Sequence, residues 1–296
     1  MGRIVVGFDG SRAGFEALRW AADAAGRSGD EVQLLECWRE PIIDGRPWIE
    51  IYEDPESGRR QVEADLNATV DAIAVEHPGV VFSRTMLGDD PADALVVASE
   101  GATVLVVGAR GRGGFTSLLL GSVSRRVAGA ARCPVIVVRT AGNPAGDVLV
   151  GVDGSLPGRR ALAWAAEEAR RRHLRLHAIM AWSYLLPEGE SGPEAFREDY
   201  TPEDAEQALR HIVDDVLGPH PGIEVELTAT CELAAKALVE RATNASLVVV
   251  GPKGTSMRHR VDLGSVTVQL LHHAPCPLAI VRSRTDDPDA ATPAGV

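Results

Sequence analysis

The sequence lacks paired cysteines and long hydrophobic runs, and each absence excludes a class of protein. Its four cysteines lie far apart and form no C-x-x-C pair, so neither a disulfide framework nor a zinc ribbon is expected. No apolar stretch approaches the roughly 20 residues that a membrane helix needs. The first apolar run begins at Ile4, with no signal-peptide hydrophobic region before it. We therefore expect a cytoplasmic protein with reduced thiols and no membrane partner.

The chain is also short of positive charge. It has 30 Lys and Arg residues against 42 Asp and Glu residues, which gives a formal net charge of −12 at pH 7. This balance opposes attraction to nucleic acid or anionic lipid, so no nucleic-acid partner is expected. Local basic loops remain able to bind phosphate groups. Hydrophobic residues make up 45% of the chain and charged residues 24%, as in globular proteins that bury a core.

Several enzyme motifs are missing as well. The chain contains no G-x-x-x-x-G-K-S/T loop, no protein-kinase motif set, no G-x-S-x-G nucleophile elbow and no H-E-x-x-H helix. No residue pattern therefore supplies an obvious catalytic base or nucleophile. His272 and His273 near Cys276 have the spacing of a helix end rather than that of metal ligands, so no metal site is expected there.

What the chain does contain is an internal repeat as long as a domain. The segment RIVVGFDGS, which begins at Arg3, recurs as DVLVGVDGS 144 residues later, and ARCPVIVVR recurs as APCPLAIVR 143 residues later. Solenoid repeats are only about 20–50 residues long, so this repeat predicts two tandem domains, residues 1–140 and 147–283. A Gly/Pro/Asn linker joins them. Residues 284–296 have no core-forming pattern, and we expect a disordered tail.

Within each copy, short β-branched runs alternate with longer helical patterns. This order predicts an α/β fold of two doubly wound domains, each with five parallel strands joined by crossover helices. Runs such as 104–107 are continuously apolar, as in strands that helices cover on both faces. In the first copy we expect strands near 3–9, 31–38, 80–87, 102–108 and 134–139, and helices near 12–27, 58–77, 91–100 and 121–131.

Both copies carry the same glycine spacing after the fourth predicted strand: glycine, two residues, glycine, nine residues, then glycine and serine. These residues are Gly108, Gly111, Gly121 and Ser122 in the first copy, and Gly251, Gly254, Gly264 and Ser265 in the second. Glycine lets the backbone approach a ligand, and a helix that starts after the third glycine offers N–H groups and its dipole to an anion. We interpret the pattern as a phosphate loop in each copy. The alternative is that these glycines serve only as turn residues.

Hydroxyl groups and cations accompany the two loops. The hydroxyls that we expect to donate to phosphate belong to Ser122, Ser124, Ser265 and Thr267. The cations that would neutralise phosphate charge, unless they are only solvated, are Arg110 and Arg112 in the first loop and Lys253, Arg258 and Arg260 in the second. Because the charges differ, we expect the two copies to bind with unequal affinity.

The first strand of each copy ends in an Asp-Gly-Ser segment. In an open parallel sheet a ligand lies beyond the carboxyl ends of the strands, where the strand order reverses, so this segment is expected beside the phosphate loop. A carboxylate would repel triphosphate. Asp9 and Asp153 are therefore predicted to serve the nucleoside end or a phosphate-bound Mg²⁺, or else to cap the first helix.

These residues together resemble the universal stress protein family, in its tandem two-domain, ATP-binding form. The resemblance covers both copies and rests on the strand-end Asp-Gly-Ser, the glycine loop, and the Cys-Pro strand that follows it. It implies a five-stranded parallel sheet in the order 3-2-1-4-5 and ATP held between the ends of strands one and four. The ligand contacts that it implies are Asp9, Gly10, Ser11, Cys37, Val107, Gly108, Gly111, Gly121, Ser122, Val123 and Ser124, with Asp153, Gly154, Ser155, Ala181, Val250, Gly251, Gly254, Gly264, Ser265, Val266 and Thr267 in the second copy.

The second copy departs from the family pattern after strand three. The family often has glycine and then proline there, as in Gly88 and Pro91, whereas the second copy has Cys231 and Ala234. The resemblance therefore implies adenine packing less strongly in the second copy. The long segments 39–57 and 183–201 share no pattern and are interpreted as lids or regulatory contacts.

Three alternative functions are consistent with these features. The first is an ATP-binding regulatory protein of the stress response, with an unknown protein partner and little or no turnover. The second is a slow ATPase or an autophosphorylating enzyme that uses Ser122 or Ser265. The third is a nucleotide-free scaffold.

The repeat also predicts how the two copies pack. Fused copies would pack around a pseudo-two-fold axis as an intramolecular pseudo-dimer, and a further homodimer is left open. The final strands, 135–138 and 278–281, are the candidates for the contact between the copies.

Overall fold

The computed structural model describes most of the chain. The described residues are 1–37, 42–43, 46–47, 56–88, 90–111, 120–182, 201–219, 221–254 and 263–282. The predicted tail and most of the segments 39–57 and 183–201 lie outside them, as do Arg112, Arg258 and Arg260.

The first half of the chain, here called lobe 1, alternates strands and helices as predicted. Its elements are β1 (Arg3–Gly7), α1 (Arg12–Ser28), β2 (Glu31–Cys37), β3 (Ile42–Ile43), β4 (Arg46–Pro47), α2 (Ser57–Glu76), β5 (Phe82–Leu87), α3 (Pro91–Ala98), β6 (Val104–Gly108), α4 (Ser122–Ala130) and β7 (Val135–Val138). The short β3–β4 hairpin is the one addition to the predicted strands among the described residues.

The second half, lobe 2, repeats this order without a described hairpin. Its elements are β8 (Val148–Gly151), α5 (Leu156–Arg172), β9 (Leu176–Ala181), α6 (Pro202–Leu217), β10 (Val225–Thr230), α7 (Ala234–Arg241), a 3-10 turn at Ala242–Asn244, β11 (Leu247–Val250), α8 (Ser265–His273) and β12 (Leu278–Ile280). The strands of each lobe are parallel to one another and lie in the order β5-β2-β1-β6-β7 or β10-β9-β8-β11-β12. The predicted order 3-2-1-4-5 is therefore confirmed in both lobes.

The two lobes share one ten-stranded sheet. The final strands β7 and β12 pair antiparallel, with Ile136 opposite Ala279 and Val135 opposite Ile280. Ile136 and Ala279 are equivalent positions of the repeat, so the pairing is symmetric about them. These are the strands that the repeat predicts to form the contact between the copies.

Local sequence explains where the helices begin. Helix α1 is capped by Ser11, whose Oγ accepts a hydrogen bond from the Gly14 amide, and α5 is capped by Ser155 in the same way. The central strands are buried on both faces, with Val5, Val106 and Ile136 fully covered. Among the described residues, no helix is both long and apolar enough to cross a membrane.

Candidate functional site

Each lobe has a cleft at the carboxyl ends of its first and fourth strands. The lobe 1 cleft is a cavity of about 500 Å³, and the lobe 2 cleft is a cavity of about 90 Å³. The described residues that line the lobe 1 cleft are Gly7, Phe8, Asp9, Leu35, Cys37, Pro91, Leu95, Val107, Gly108, Arg110, Gly111, Leu120, Gly121, Ser122, Val123 and Ser124. Those of lobe 2 are Gly151, Val152, Asp153, Gly158, Ile179, Ala181, Ala234, Leu238, Val250, Gly251, Lys253, Gly254, Val266 and Thr267.

The two linings correspond position by position. Apart from Gly158, every residue that lines the lobe 2 cleft has its repeat equivalent in the lobe 1 lining, including the Cys37–Ala181 and Arg110–Lys253 pairs. The lobe 1 lining also includes Leu120, Gly121 and Ser122, whose equivalents Leu263, Gly264 and Ser265 are not among the described residues that line the lobe 2 cleft. The structure thus brings most of the predicted site residues together around one cavity in each lobe.

Four predicted residues of the strand-one turns lie outside the described cleft linings. Gly10 and Gly154 have φ of 68° and 77°, in the left-handed region that favours glycine. Ser11 and Ser155 cap the helices that follow. The role of Gly10 and Gly154 is therefore to turn the chain, and the serine hydroxyls are engaged by backbone amides.

Asp9 and Asp153 do not cap the first helix of their lobes, which was the alternative role predicted for them. The Oδ1 atom of Asp9 accepts the Ser11 amide at 3.0 Å, and Oδ1 of Asp153 accepts the Ser155 amide at 3.1 Å. The helix caps are the serines, so the capping role for the aspartates is wrong. The second oxygen of each carboxylate faces the glycine loop, because a Cβ added at Gly111 or Gly254 would overlap with Oδ2 of Asp9 or Asp153.

The first glycine of each loop has a packing role. A Cβ at Gly108 would lie 2.7 Å from the backbone of Ala13 in α1, and a Cβ at Gly251 would lie 3.0 Å from Pro157 at the equivalent place in α5. In lobe 1 strand four and helix one therefore approach each other more closely than another residue would allow, and in lobe 2 another residue would require Pro157 to shift. This part of the motif serves the fold whether or not a ligand is bound.

The helices that follow the loops begin without a side-chain cap. Helices α4 and α8 have Gly121 and Gly264 at their N-cap positions, and no described side chain accepts from their first amides. Helices α1 and α5, by contrast, are capped by serine. The first turns of α4 and α8 therefore present N–H groups and a positive dipole end that an anion can satisfy.

One expectation about the hydroxyl groups is corrected. The Ser124 hydroxyl donates to the carbonyl oxygen of Gly108 at 2.6 Å, and the Thr267 hydroxyl donates to that of Gly251 at 2.9 Å. Both side chains are buried. Their protons hold the loop to the helix in the described structure, so these two groups are not available to donate to phosphate as predicted.

Apolar residues that the glycine motif did not reveal form the rest of the lobe 1 wall. Phe8, Leu35, Leu95 and Leu120 line the cleft beside the predicted residues. They come from four separate segments, so no local pattern groups them. The sequence feature that could have indicated them is the repeat, because the equivalents of Phe8, Leu35 and Leu95 line the lobe 2 cleft. These equivalents are Val152, Ile179 and Leu238.

The lobes differ most where α3 or α7 closes the cleft. In lobe 1 Asp90 caps α3 through the Ala92 and Asp93 amides, and Arg126 of α4 forms ion pairs with Asp90 and Asp93. At the equivalent positions lobe 2 has Leu233, Lys236 and Gln269, and α7 begins without a side-chain cap. A groove of about 320 Å³ lies between α7 and α8 there, and it reaches Ser265 and Val266.

A cluster outside the clefts has residue types that metals bind. The carboxylates of Asp147 and Glu226 and the His177 ring lie within 4.8 Å of one another. Arg175 pairs with both carboxylates, at 2.7 Å and 2.9 Å, and His177 contacts Thr228 at 2.8 Å. Lobe 1 has the same contact between Gln33 and Thr85, so we interpret the His177 contact as structural.

Comparison with known proteins agrees with the two-lobe architecture. The family model described as "Universal stress protein family" matches residues 1–139 and 145–282. Universal stress protein Rv2005c of Mycobacterium tuberculosis is 30% identical over 290 residues, which cover 94% of this chain and 96% of that protein. A universal stress protein of Mycolicibacterium smegmatis is 30% identical over 293 residues, covering 95% of this chain and 97% of the relative.

Solved structures show the same fold. The crystal structure of a universal stress protein from Archaeoglobus fulgidus superposes with a TM-score of 0.70 at 22% identity, covering 95% of this chain and 98% of that chain. A universal stress protein solved in complex with cAMP matches 49% of this chain at 25% identity, with a TM-score of 0.35. The first comparison bears on the fold of the whole chain, and the second is too weak to bear on its ligand.

Proposed function

This chain belongs to the universal stress protein family, and we propose that it is a regulatory protein with one ATP site in each lobe. The phosphates would lie against the glycine loop and the first turn of α4 or α8. The adenine would lie against the apolar wall between strands one and two and α3 or α7. The protein would act through the nucleotide that it holds rather than through rapid turnover.

The observation that carries the proposal is the pair of clefts with equivalent linings. A single cleft with three glycines has a purely structural explanation, because turns and close packing also require glycine. The two lobes, however, differ in much of their sequence and still keep the same glycines, the same aspartate and a cation at the same loop position. Folding alone does not require a cation there.

Electrostatics favour a phosphate at the helix end of the cleft. The uncapped amides of α4 and α8 are joined by Arg110 or Lys253 in the cleft lining. Amides at a helix N-terminus and a nearby cation both stabilise an anion. Since the described first turns of these helices hold no acidic residue, nothing there opposes a phosphate.

Mg²⁺ fits beside the same groups. The carboxylate of Asp9 or Asp153 faces the second glycine of the loop. From there a carboxylate oxygen would coordinate a Mg²⁺ ion that is bound to the phosphates. The cation would neutralise the repulsion between this carboxylate and a triphosphate. Among the described lining residues Asp9 and Asp153 are the carboxylates of their clefts, which leaves little machinery for proton transfer.

A melting experiment tests the proposal. Protein freed of nucleotide should gain about 2.7 kcal/mol of unfolding free energy when ATP and Mg²⁺ are present at one hundred times the dissociation constant. Adenosine, which lacks the phosphates, should stabilise the protein much less. An unchanged melting temperature at millimolar ATP would reject an ATP-binding function.

A further inference from the structure

Helices α4 and α8, which follow the glycine loops, are here called the site helices. The C-terminal end of each is held by the opposite lobe. Arg139, just after β7 of lobe 1, donates from Nη2 to the carbonyl oxygen of Leu271 in α8 at 2.8 Å. Arg282, just after β12 of lobe 2, donates from Nε to the carbonyl oxygen of Ala128 in α4 at 3.1 Å. The two arginines are equivalent in the repeat, and so are the two acceptors. Each lobe therefore contributes one arginine that forms a hydrogen bond with the site helix of the other lobe.

Both acceptors lack the partner that a continuing helix would supply. The Leu271 carbonyl would accept from residue 275, which is a proline and has no N–H group. The Ala128 carbonyl would accept from the Arg132 amide, which instead donates to Ser99 Oγ at 2.9 Å. Leu271 and Ala128 are buried, with 3% and 0% of their surface exposed. Without the arginines, the carbonyl groups of these two buried residues would lose a hydrogen bond, which is unfavourable.

The crossing follows from the way the sheet is joined. Because β7 and β12 pair antiparallel about Ile136 and Ala279, the chain that leaves each strand passes over the other lobe. Arg139 and Arg282 lie just beyond this pairing and reach across it. Burial lowers the pKa of Arg139, with a smaller effect from Arg110, which lines the lobe 1 cleft. The guanidinium is therefore partly desolvated, where a charge-assisted hydrogen bond is stronger than at an exposed surface.

Helices α4 and α8 connect this contact to the clefts. Each helix has nine residues and spans about 13 Å, at about 1.5 Å per residue. Its last turn is held by the arginine of the other lobe. Its first turn carries free backbone amides at its own cleft and is bonded to the glycine loop through the hydroxyl of Ser124 or Thr267. A helix of this length moves as one body, so a change at its C-terminal end moves the amides at its N-terminal end.

We propose that Arg139 and Arg282 are positioning residues that act across the lobes, so that Arg139 sets the nucleotide affinity of lobe 2 and Arg282 sets that of lobe 1. The inference rests on the proposed ATP sites for its ligand, but the contacts that carry it do not. The lobes are then mutually dependent binding units, and each is incomplete without one residue of the other.

Lobe-resolved binding tests the crossed assignment. Gly111→Val removes the lobe 1 site and Gly254→Val removes the lobe 2 site, so each variant leaves one site for calorimetry with ATP and Mg²⁺. Arg139→Ala should weaken ATP binding about tenfold, or about 1.4 kcal/mol, when lobe 2 is the remaining site, and less than about twofold when lobe 1 remains. Arg282→Ala should give the mirror result. Arg139→Lys, which keeps a donor, should restore part of the affinity.

A charge-matched control and a ligand-independent readout separate the ways in which the inference can fail. Arg19→Ala removes an exposed arginine whose described ion pair lies within α1, and it should leave both affinities unchanged. Hydrogen exchange without nucleotide should be faster in residues 265–273 of Arg139→Ala and in residues 122–130 of Arg282→Ala. The inference would be overturned if ATP affinity fell equally in the Gly111→Val and Gly254→Val backgrounds, or if it fell in the arginine's own lobe. Unchanged hydrogen exchange in the site helix of the opposite lobe would also overturn it. If the unmodified protein binds no ATP, the proposed function fails, and the exchange result alone decides the positioning role.

Discussion

The two lobes have the same framework and different walls. Both keep the aspartate at the end of strand one, the glycine loop and an uncapped site helix, whereas the cavity is about 500 Å³ in lobe 1 and about 90 Å³ in lobe 2. Lobe 1 holds α3 with an aspartate cap and an arginine on α4, and lobe 2 has an open groove in that place. The shared parts are the ones that the proposed phosphate site uses, and the parts that differ set the shape of each cleft.

The largest effect should come from filling the glycine loop in one lobe at a time. In Gly111→Val or Gly254→Val the new side chain takes the space of one Asp9 or Asp153 carboxylate oxygen, so this carboxylate must turn away from the loop and the cleft is filled there. We expect ATP affinity to fall at least about a hundredfold in the altered lobe and to persist in the other, a cost of about 2.8 kcal/mol. Calorimetric stoichiometry should drop from two to one.

The matched control for this prediction is Gly129→Ala in α4. A Cβ at Gly129 meets no atom within 4 Å, so this variant should retain both sites. If either loop variant also retained two sites of normal affinity, the loops would not be the binding elements.

A thiol should report occupancy of lobe 1 alone. Cys37 lines the lobe 1 cleft, where lobe 2 has Ala181. Burial raises the pKa of Cys133 and Cys276 to about 12, so these thiols should react slowly. In a Cys231→Ser background, ATP at ten times its dissociation constant should slow alkylation of Cys37 about tenfold. Mass spectrometry of the labelled protein measures the rate, and equal labelling with and without ATP would place the nucleotide elsewhere.

Exchanging the caps of α3 and α7 should alter stability by a smaller amount. Leu233 is exposed and has the extended backbone that an N-cap residue adopts, so Leu233→Asp should cap α7 as Asp90 caps α3. We expect an increase of about 1 kcal/mol in the free energy of unfolding, measured by denaturant. The converse change, Asp90→Leu, should lower stability by a similar amount. A loss in both variants would show that the two helices do not use equivalent caps.

The smallest difference concerns pH. Burial lowers the pKa of His177 below its ordinary value of 6.5, so the unfolded chain binds more protons and stability falls as the pH drops below that value. His177→Gln, which installs the residue of lobe 1, should leave the melting temperature at neutral pH nearly unchanged and reduce the loss on acidification. Gln33→His should introduce the same sensitivity into lobe 1. Melting curves at pH values above and below 6.5 measure the effect of both variants. If His177→Gln lost as much stability on acidification as the unmodified protein, His177 would not be the source of the acid sensitivity.

The framework of the site could be predicted from the sequence better than its surroundings. The repeat placed Asp9 and Gly111 correctly in one cleft, because both lie at strand ends that a parallel sheet brings together. It did not find Phe8 and Leu95, since wall residues from separate elements have no spacing in common. The hydroxyl of Ser124 was assigned to phosphate because its carbonyl partner is visible only in three dimensions.

The crossed arginines show the same limit more clearly. Arg139 and Arg282 end two matching segments of the repeat, yet nothing local indicates that each bonds to the other lobe. That contact depends on the antiparallel pairing of β7 with β12 and on a proline four residues beyond Leu271. Sequence patterns describe single elements well, but partners across an interface require the interface itself.

Calorimetric titration of nucleotide-free protein with ATP and Mg²⁺ tests the central claim most directly. We expect saturable binding at two sites of unequal affinity, and Gly111→Val and Gly254→Val should each remove a different one. Absence of saturable heat, or binding that survives both substitutions together, would contradict the claim that each lobe holds one nucleotide.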